Sequence, residues 1–317
     1  MFDFLVSADL LVDDFPSAVH TMQARLGFGD PKPQWYAGGE GRGFDVVFLR
    51  TDPRLQGSPT RLEVMAANAV DPDLPAPQTL PHMPGLRRAQ DAAPVRTHGT
   101  VFAVSDMDEA IARVRRGGFR HWLDAANELM PHHRLWVGIS EEEKDVWIPG
   151  DDGGLLIELV ETATIPGVME SADAPPPESE LRQGAMTRIT ARRWLVPDLD
   201  QSIARLQATF DCSISPIAQT ADGSRTAAIR CAHPRSAVVD LVQPAPGAPH
   251  AEFVAARGPL PWTIVIAVND LAAKAHDLEA RLTPFTRVDD NVTGVPALAP
   301  EPATTLGVPF TFVQETI

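Results

Sequence analysis

One pattern of apolar and polar positions recurs along the chain. A run rich in apolar and β-branched residues leads into an Asp, and apolar residues at helical spacing follow. The copies read SADLLVDDFPSAVHTMQARLGF from Ser7, GTVFAVSDMDEAIARVRRGGF from Gly99, ARRWLVPDLDQSIARLQATF from Ala191 and TIVIAVNDLAAKAHDLEARL from Thr263. Their helix-starting acids are Asp14, Asp106, Asp198 and Asp270, at intervals of 92, 92 and 72 residues by subtraction. Each Asp can cap the free N–H groups of a first helical turn and complement the helix dipole. Asp106 with Glu109, and Asp198 with Gln201, have capping-box spacing. The third helix is predicted from Leu199, Ile203, Leu206 and Phe210, the fourth from Leu271, Ala275, Leu278 and Leu282. Gly27 and Gly117-Gly118 are predicted helix stops.

After each helix come further strand-like segments, closing on an alternating strand: Arg61 to Ala66, Leu155 to Glu161, Ala237 to Gln243 and Pro309 to Gln314. Each repeat is therefore a β-α-β-β-β module. The second ends on VWIPGDDGGLLIELVE from Val146, a turn at 151–154 followed by a strand. In that strand Ile157 and Leu159 face one side and Leu156, Glu158 and Val160 the other. A carboxylate at the middle of an apolar strand asks for an explanation.

At 317 residues the chain has length for two packed domains. A segment rich in Pro, Glu, Ser and Ala separates modules two and three. The expected domains are 1–163 and 187–317, joined by a linker over 164–186. The formal charge of −15 argues against a nucleic-acid or anionic-membrane partner. The N-terminus carries acids in its apolar run and has no basic leader, and no stretch of 18 uninterrupted apolar residues occurs. The expectation is a cytoplasmic protein with Cys212 and Cys231 as reduced thiols.

A lone module leaves a curved sheet face and an apolar helix side uncovered, and pairing two modules covers both. Four modules, two per domain, together with the phrase PGDDGGLLIELVE, resemble the vicinal oxygen chelate superfamily (glyoxalases, bleomycin-resistance proteins, extradiol dioxygenases). The resemblance implies an α+β fold of four βαβββ modules paired into two open, cup-shaped mixed-sheet domains with helices on the outside. It also implies a ligand, usually His, seven residues before each helix Asp, and a Glu on each final strand. Here the first-strand positions are Ser7, Gly99, Ala191 and Thr263, and the final-strand positions are Glu63, Glu158, Asp240 and Thr311. Half of the pattern is kept, in the carboxylates, and half is missing, in the histidines. That weighs against an extradiol dioxygenase, whose iron takes two His and one carboxylate. His98 stands one residue before the expected position, so a regular strand turns it to the other face and a bulge could restore it.

Strand parity puts Ser7, Asp9, Glu63 and Glu158 on one face of the N-terminal cup. Converging carboxylates either bind a cation or retain a proton. The first outcome makes Glu158, Glu63 and His98 metal ligands for one divalent ion; the second makes Glu158 and Glu63 a catalytic acid–base pair. Trp35 and Tyr36 in a loop, and His132 and Trp136 on a strand HHRLWVGIS, are candidate substrate-binding residues with Ser7, Asp9 and His98. Of His132 and His133, at most one can enter the cup. In the second domain Arg193 opposite Asp240 reads as a buried ion pair, and that half as a scaffold. No phosphate-binding glycine loop, nucleophile elbow or HExxH is present. The functional expectation is a glyoxalase-like enzyme of lyase or isomerase type, acting on a small carbonyl-bearing organic substrate in the N-terminal cup. The alternative is a metal-free protein that binds a small molecule without turnover. The module plan also allows a homodimer, and cups formed between non-neighbouring modules.

Overall fold

The computed structural model describes residues 1–29, 42–49, 51, 59–70, 95–126, 132–143, 156–165, 182–248 and 250–315. Trp35, Tyr36, the turn at 151–154 and most of the expected linker lie outside them. The first sheet takes its strands from modules one and two: β1 (Phe2–Val12), β2 (Arg42–Leu49), β3 (Arg61–Val70), β4 (Val95–Val104), β5 (His121–Asp124), β6 (Arg134–Val137) and β7 (Ile157–Glu161). Its order is β2-β3-β1-β4-β7-β6-β5. The second sheet takes modules three and four: β8 (Met186–Leu195), β9 (Ser213–Ile214), β10 (Ala218–Gln219), β11 (Arg225–Arg230), β12 (Val238–Gln243), β13 (Leu260–Val268), β14 (Phe285–Asp289), β15 (Pro296–Pro300) and β16 (Phe310–Gln314). Its main path runs β10-β11-β12-β8-β13-β16-β15-β14. Neighbouring modules thus share a sheet.

In every module the first strand lies parallel to the last, and the two first strands of a sheet pair antiparallel at its centre. A parallel pair needs a crossover, and the helix supplies it. The helices are α1 (Phe15–Thr21, widening to π geometry over Met22–Leu26), α2 (Met107–Arg116), α3 (Leu199–Phe210), a connector α4 (Ala251–Arg257) and α5 (Leu271–Ala280). Asp14, Asp106, Asp198 and Asp270 each accept a backbone N–H three residues on, at 2.8–3.0 Å. Gly27 ends α1 in the left-handed conformation. Leu282 departs from its expected helical place: α5 stops at Ala280, and Leu282 has positive φ and is 78 % exposed.

Alternate strand residues divide between two environments. Phe102, Val104, Ile264, Ile266 and Trp194 enter one hydrophobic core that also takes residues from α1, α2, α3 and α5 and from both sheets. Val101 and Ala103, between those residues, pack with Phe4, Val6 and Ile165 on the other face of the first sheet. The helices are therefore outside each cup, and that outer side is where the two domains meet. The helices pair across domains. Arg25 and Arg281 bond to carbonyls at one another's helix ends, buried Lys274 donates to Leu26 O at 2.7 Å, and Thr283 donates to Arg25 O at 2.9 Å. At the other pair, Arg205 lies over the Phe119 ring with its guanidinium 4.1 Å from the centroid. Trp194 Nε1 donates to Thr100 Oγ1 at 2.9 Å, bonding the central strands of the two sheets. Cys212 and Cys231 are free thiols.

Replacing Asp198 by Ala leaves the first turn of α3 without its side-chain acceptor. The expected loss is about 1 kcal/mol of unfolding free energy, read as a lower urea midpoint at unchanged slope.

Candidate functional site

The polar cluster of the N-terminal cup is built by strand register. β1 and β3 lie side by side with Ser7 beside Arg61 and Asp9 beside Glu63. β4 pairs with β7 so that Val101 lies beside Glu158. β6 pairs with β7 so that Trp136 lies beside Glu158. These registers bring Ser7, Asp9, Glu63 and Glu158 to one face, as alternation predicts. Ser7 Oγ lies 2.6 Å from Asp9 Oδ1 and 2.9 Å from Glu63 Oε2. Gly99 is over this cluster, where a Cβ would stand 3.5 Å from Asp9 Oδ2.

Charge is scarce and buried here. Burial pushes the Asp9 carboxyl from 3.8 up to about 7, with the Ser7 hydroxyl and the Arg192 charge acting the other way. Burial raises Glu63 well above its ordinary value, and the negative charges of Asp9 and Glu158 add to that. Glu158 is pushed from 4.5 to about 7, again by burial, against the attraction of Arg134. Arg134 Nη1 is 3.6 Å from Glu158 Oε1, Arg134 also bonds Asp124, and its guanidinium lies 5.6 Å from the Trp136 ring centroid. The stereochemistry of Ser7 supports a retained proton independently. A hydroxyl donates once. Two short contacts to two carboxyls therefore require that one carboxyl be protonated and donate to Ser7 Oγ, while Ser7 donates to the other.

Behind this face stands Arg192, on the opposite side of β8 from Arg193 and fully buried. Its Nη2 donates to the Asp9 carbonyl at 3.5 Å, and its Nε and Nη1 have no hydrogen-bond partner among the described residues. Burial lowers it to about 10, so it stays charged at neutral pH. Arg134, Asp124 and Arg192 were not among the residues singled out from the sequence. Arg134 could have been found, because it alternates with Trp136 on the strand that pairs with Glu158.

The other candidates fall unevenly. Trp136 is buried beside Glu158. His132 does not lie on a strand as expected: β6 begins at Arg134, and His132 and His133 are both exposed ahead of it. His98 is buried, and a bulge sets His98 and Gly99 together opposite Asp9, so simple alternation no longer separates them. Even so, no three His, Cys, Asp or Glu side chains among the described residues are grouped to hold a metal. Glu63, Glu158 and His98 are thus not gathered as a ligand set: Glu63 is engaged through Ser7 with Asp9, and Glu158 faces Arg134. The donor set does not fit a metal ion.

The second cup keeps its expected ion pair, Arg193 to Asp240 at 3.5 Å, and adds one. Asp290, from the β14–β15 connection, binds the same guanidinium at 2.7 Å.

The fold is that of the vicinal oxygen chelate proteins: two open mixed sheets, each built from paired βαβββ-type modules. The chain superposes on a triple mutant of 4-hydroxymandelate synthase from Streptomyces coelicolor with a TM-score of 0.65 at 16 % identity, covering 99 % of this chain and 93 % of that one. It also matches a xylose isomerase-like TIM barrel/4-hydroxyphenylpyruvate dioxygenase fusion protein, with a TM-score of 0.60 at 15 % identity over 100 % of this chain and 49 % of the fusion. No protein-family model and no curated protein sequence matches the chain.

Carboxyls whose folded pKa is raised make stability depend on pH. The folded protein holds protons that the unfolded chain gives up, so the stabilisation is complete below the unfolded values of 3.8 and 4.5 and is lost as pH rises through about 7. Wild-type unfolding free energy is expected to fall between pH 5 and pH 7.5. The Glu158→Gln variant should lose less over that range, by roughly 3 kcal/mol at most. Urea titrations across that range check it.

Proposed function

We propose that the chain is an enzyme of isomerase or lyase type that moves a proton at the carbon next to a carbonyl in a small organic substrate bound in the N-terminal cup. The observation that carries this reading is the pair of short contacts from Ser7 Oγ, which fix one proton among Asp9, Glu63 and Ser7. A second carboxyl, Glu158, titrates near neutral pH in the same cup. A proton donor and a proton acceptor with values near the working pH are what general acid–base chemistry needs. Glu158 is the base: it removes the C–H proton, and the electron pair of that bond forms the new C=C bond. The carbonyl oxygen takes the proton held by Glu63, and Ser7 and Asp9 relay charge within the array. Arg134 keeps Glu158 aimed and places a cation near the oxygen that gains charge. In a hydroxyketone, Glu158 returns the proton to the former carbonyl carbon, using the C=C electron pair, while the neighbouring hydroxyl gives its proton back to Glu63 and becomes the new C=O, which completes an isomerisation.

Dioxygenase chemistry of the kind named in the fusion protein is less well supported, because no histidine occupies the four first-strand positions Ser7, Gly99, Ala191 and Thr263. The same missing histidines favour the second reading, binding of a small molecule without turnover. Among the described residues no helix is long and apolar enough to cross a membrane.

The deciding assay is hydrogen–deuterium exchange at the α-carbon of small hydroxyketones and dicarbonyls in D2O, followed by proton NMR. Wild type should exchange at least one of them. Glu158→Gln should slow that exchange roughly 100-fold or more while its ligand affinity stays within about twofold. Binding with no exchange in wild type sinks the enzymatic reading in favour of the binder. Near-stoichiometric metal in the purified protein, lost in Glu158→Gln, would replace the metal-free acid–base mechanism with a Lewis-acid one.

A further inference from the structure

The C-terminal cup, which reads from sequence as a scaffold, contains a cavity of about 500 Å³. That is within the usual range for small-molecule sites. Half of its wall is small apolar residues, among them Ala191, Ala228, Val238 and Val265. No Leu, Ile, Met or aromatic side chain lines it, so the cup is not filled by its own core. At one end Leu195 and Val242 pack with Val254 of α4 in a small apolar cluster. The other half of the lining is polar or charged, and its partnerships are almost complete. Asp240 and Asp290 are both bound to Arg193, at 3.5 and 2.7 Å, and Glu315 is bound to Arg188 at 2.9 Å. Every carboxylate lining the cavity therefore already has an arginine.

Two groups are left over, and both are on β11. Thr226 is only 5 % exposed, lines the cavity, and its Oγ1 has no hydrogen-bond partner. A buried hydroxyl without a partner costs free energy that a ligand can recover. Arg230 also lines the cavity and is exposed; its side chain makes no hydrogen bond or ion pair among the described residues, and its charge acts on Asp240 without contact. Thr226, Ala228 and Arg230 alternate along the strand, so they share one face, and Thr226 and Arg230 are about 13 Å apart along it.

We propose that the C-terminal cup is a second ligand site, for a small, mainly apolar organic carboxylate. Its charged end pairs with Arg230, its apolar body lies along Ala228, Val238 and Val265, and a polar atom further along accepts from Thr226. A carboxylate is favoured because Arg230 is the one charged group of the lining whose side chain makes no hydrogen bond or ion pair among the described residues, its attraction for Asp240 acting without contact. Arg is also suited to the planar, two-oxygen geometry of a carboxylate. The site is independent of the acid–base array, which belongs to the other cup.

Isothermal titration calorimetry on the full chain tests this, with butyrate, octanoate and phenylacetate as probes, each run against its primary amide. At least one carboxylate should bind saturably at one site per chain, tenfold or more tighter than its amide. Arg230→Gln should weaken that carboxylate tenfold or more and leave the amide unchanged. Arg230 is exposed, so this variant should keep its fold, which circular dichroism checks. Ala228→Trp, which fills the cavity, should abolish binding of both. Saturable binding by none of the three carboxylates overturns the proposal, and so does carboxylate binding that survives both substitutions.

Discussion

A curved sheet with apolar residues on its convex side must cover that side, and here the two domains cover each other. The back-face residues of all four first strands, with the apolar sides of α1, α2, α3 and α5, form one continuous core. Everything functional in the fold follows from that choice. With the convex faces turned inward, the concave faces look away from one another and are free to carry polar groups. The cross-domain helix pairs hold this arrangement through specific bonds at helix ends, which satisfy carbonyls that a helix terminus otherwise leaves open. Lys274 is the costliest of these devices. Its ammonium is buried, and it is tolerated because it takes the Leu26 carbonyl, the Asp277 carboxylate and the Phe312 ring together.

The shared core also links the back of one sheet to the chemistry on the front of the other. Arg192 brings a full positive charge into the core with one long hydrogen bond, to the Asp9 carbonyl. An unpaired buried charge is strongly disfavoured. The anionic group that acts on it is the Asp9 carboxyl, which belongs to the array with Ser7 and Glu63. Arg192 favours an array that keeps one negative charge, and mutual repulsion between the acids disfavours a second. One proton shared among two carboxyls satisfies both demands, and it is the state that the Ser7 contacts require.

Much of this was legible in the sequence, for local reasons. The four capping Asp residues announce helix starts because the cap is a contact over three residues. Alternation placed Ser7, Asp9, Glu63 and Glu158 together because the side-chain period of a strand is fixed. What escaped depends on non-local packing or on strand ends. His132 reads as a strand residue because the apolar pattern puts the start of β6 two residues before Arg134. Arg192 did leave a signal: a charged residue in the same phase as Trp194, on the face that must be buried. Asp290 left none, since it arrives at Arg193 from a loop in another module. The cavity of the second cup was hidden for a similar reason. Small residues such as Ala191 and Ala228 read as ordinary strand positions until the facing walls are known.

The contrast between the two cups comes down to one register position. Asp9, Val101, Arg193 and Val265 each stand five residues before their helix-capping Asp, and each lies beside the carboxylate-bearing or equivalent position of its final strand: Glu63, Glu158, Asp240 and Thr311. In module one an acid faces an acid, and the pair must retain a proton. In module three an arginine faces an acid and forms an ion pair, and Asp290 brings a second carboxylate to the same guanidinium. The same backbone therefore yields a proton-holding cup in one domain and, in the other, a cup whose acids are each bound to an arginine. The difference is set by Asp9 and Arg193, not by the fold. The two duplicated cups thus differ in electrostatics while sharing one backbone plan.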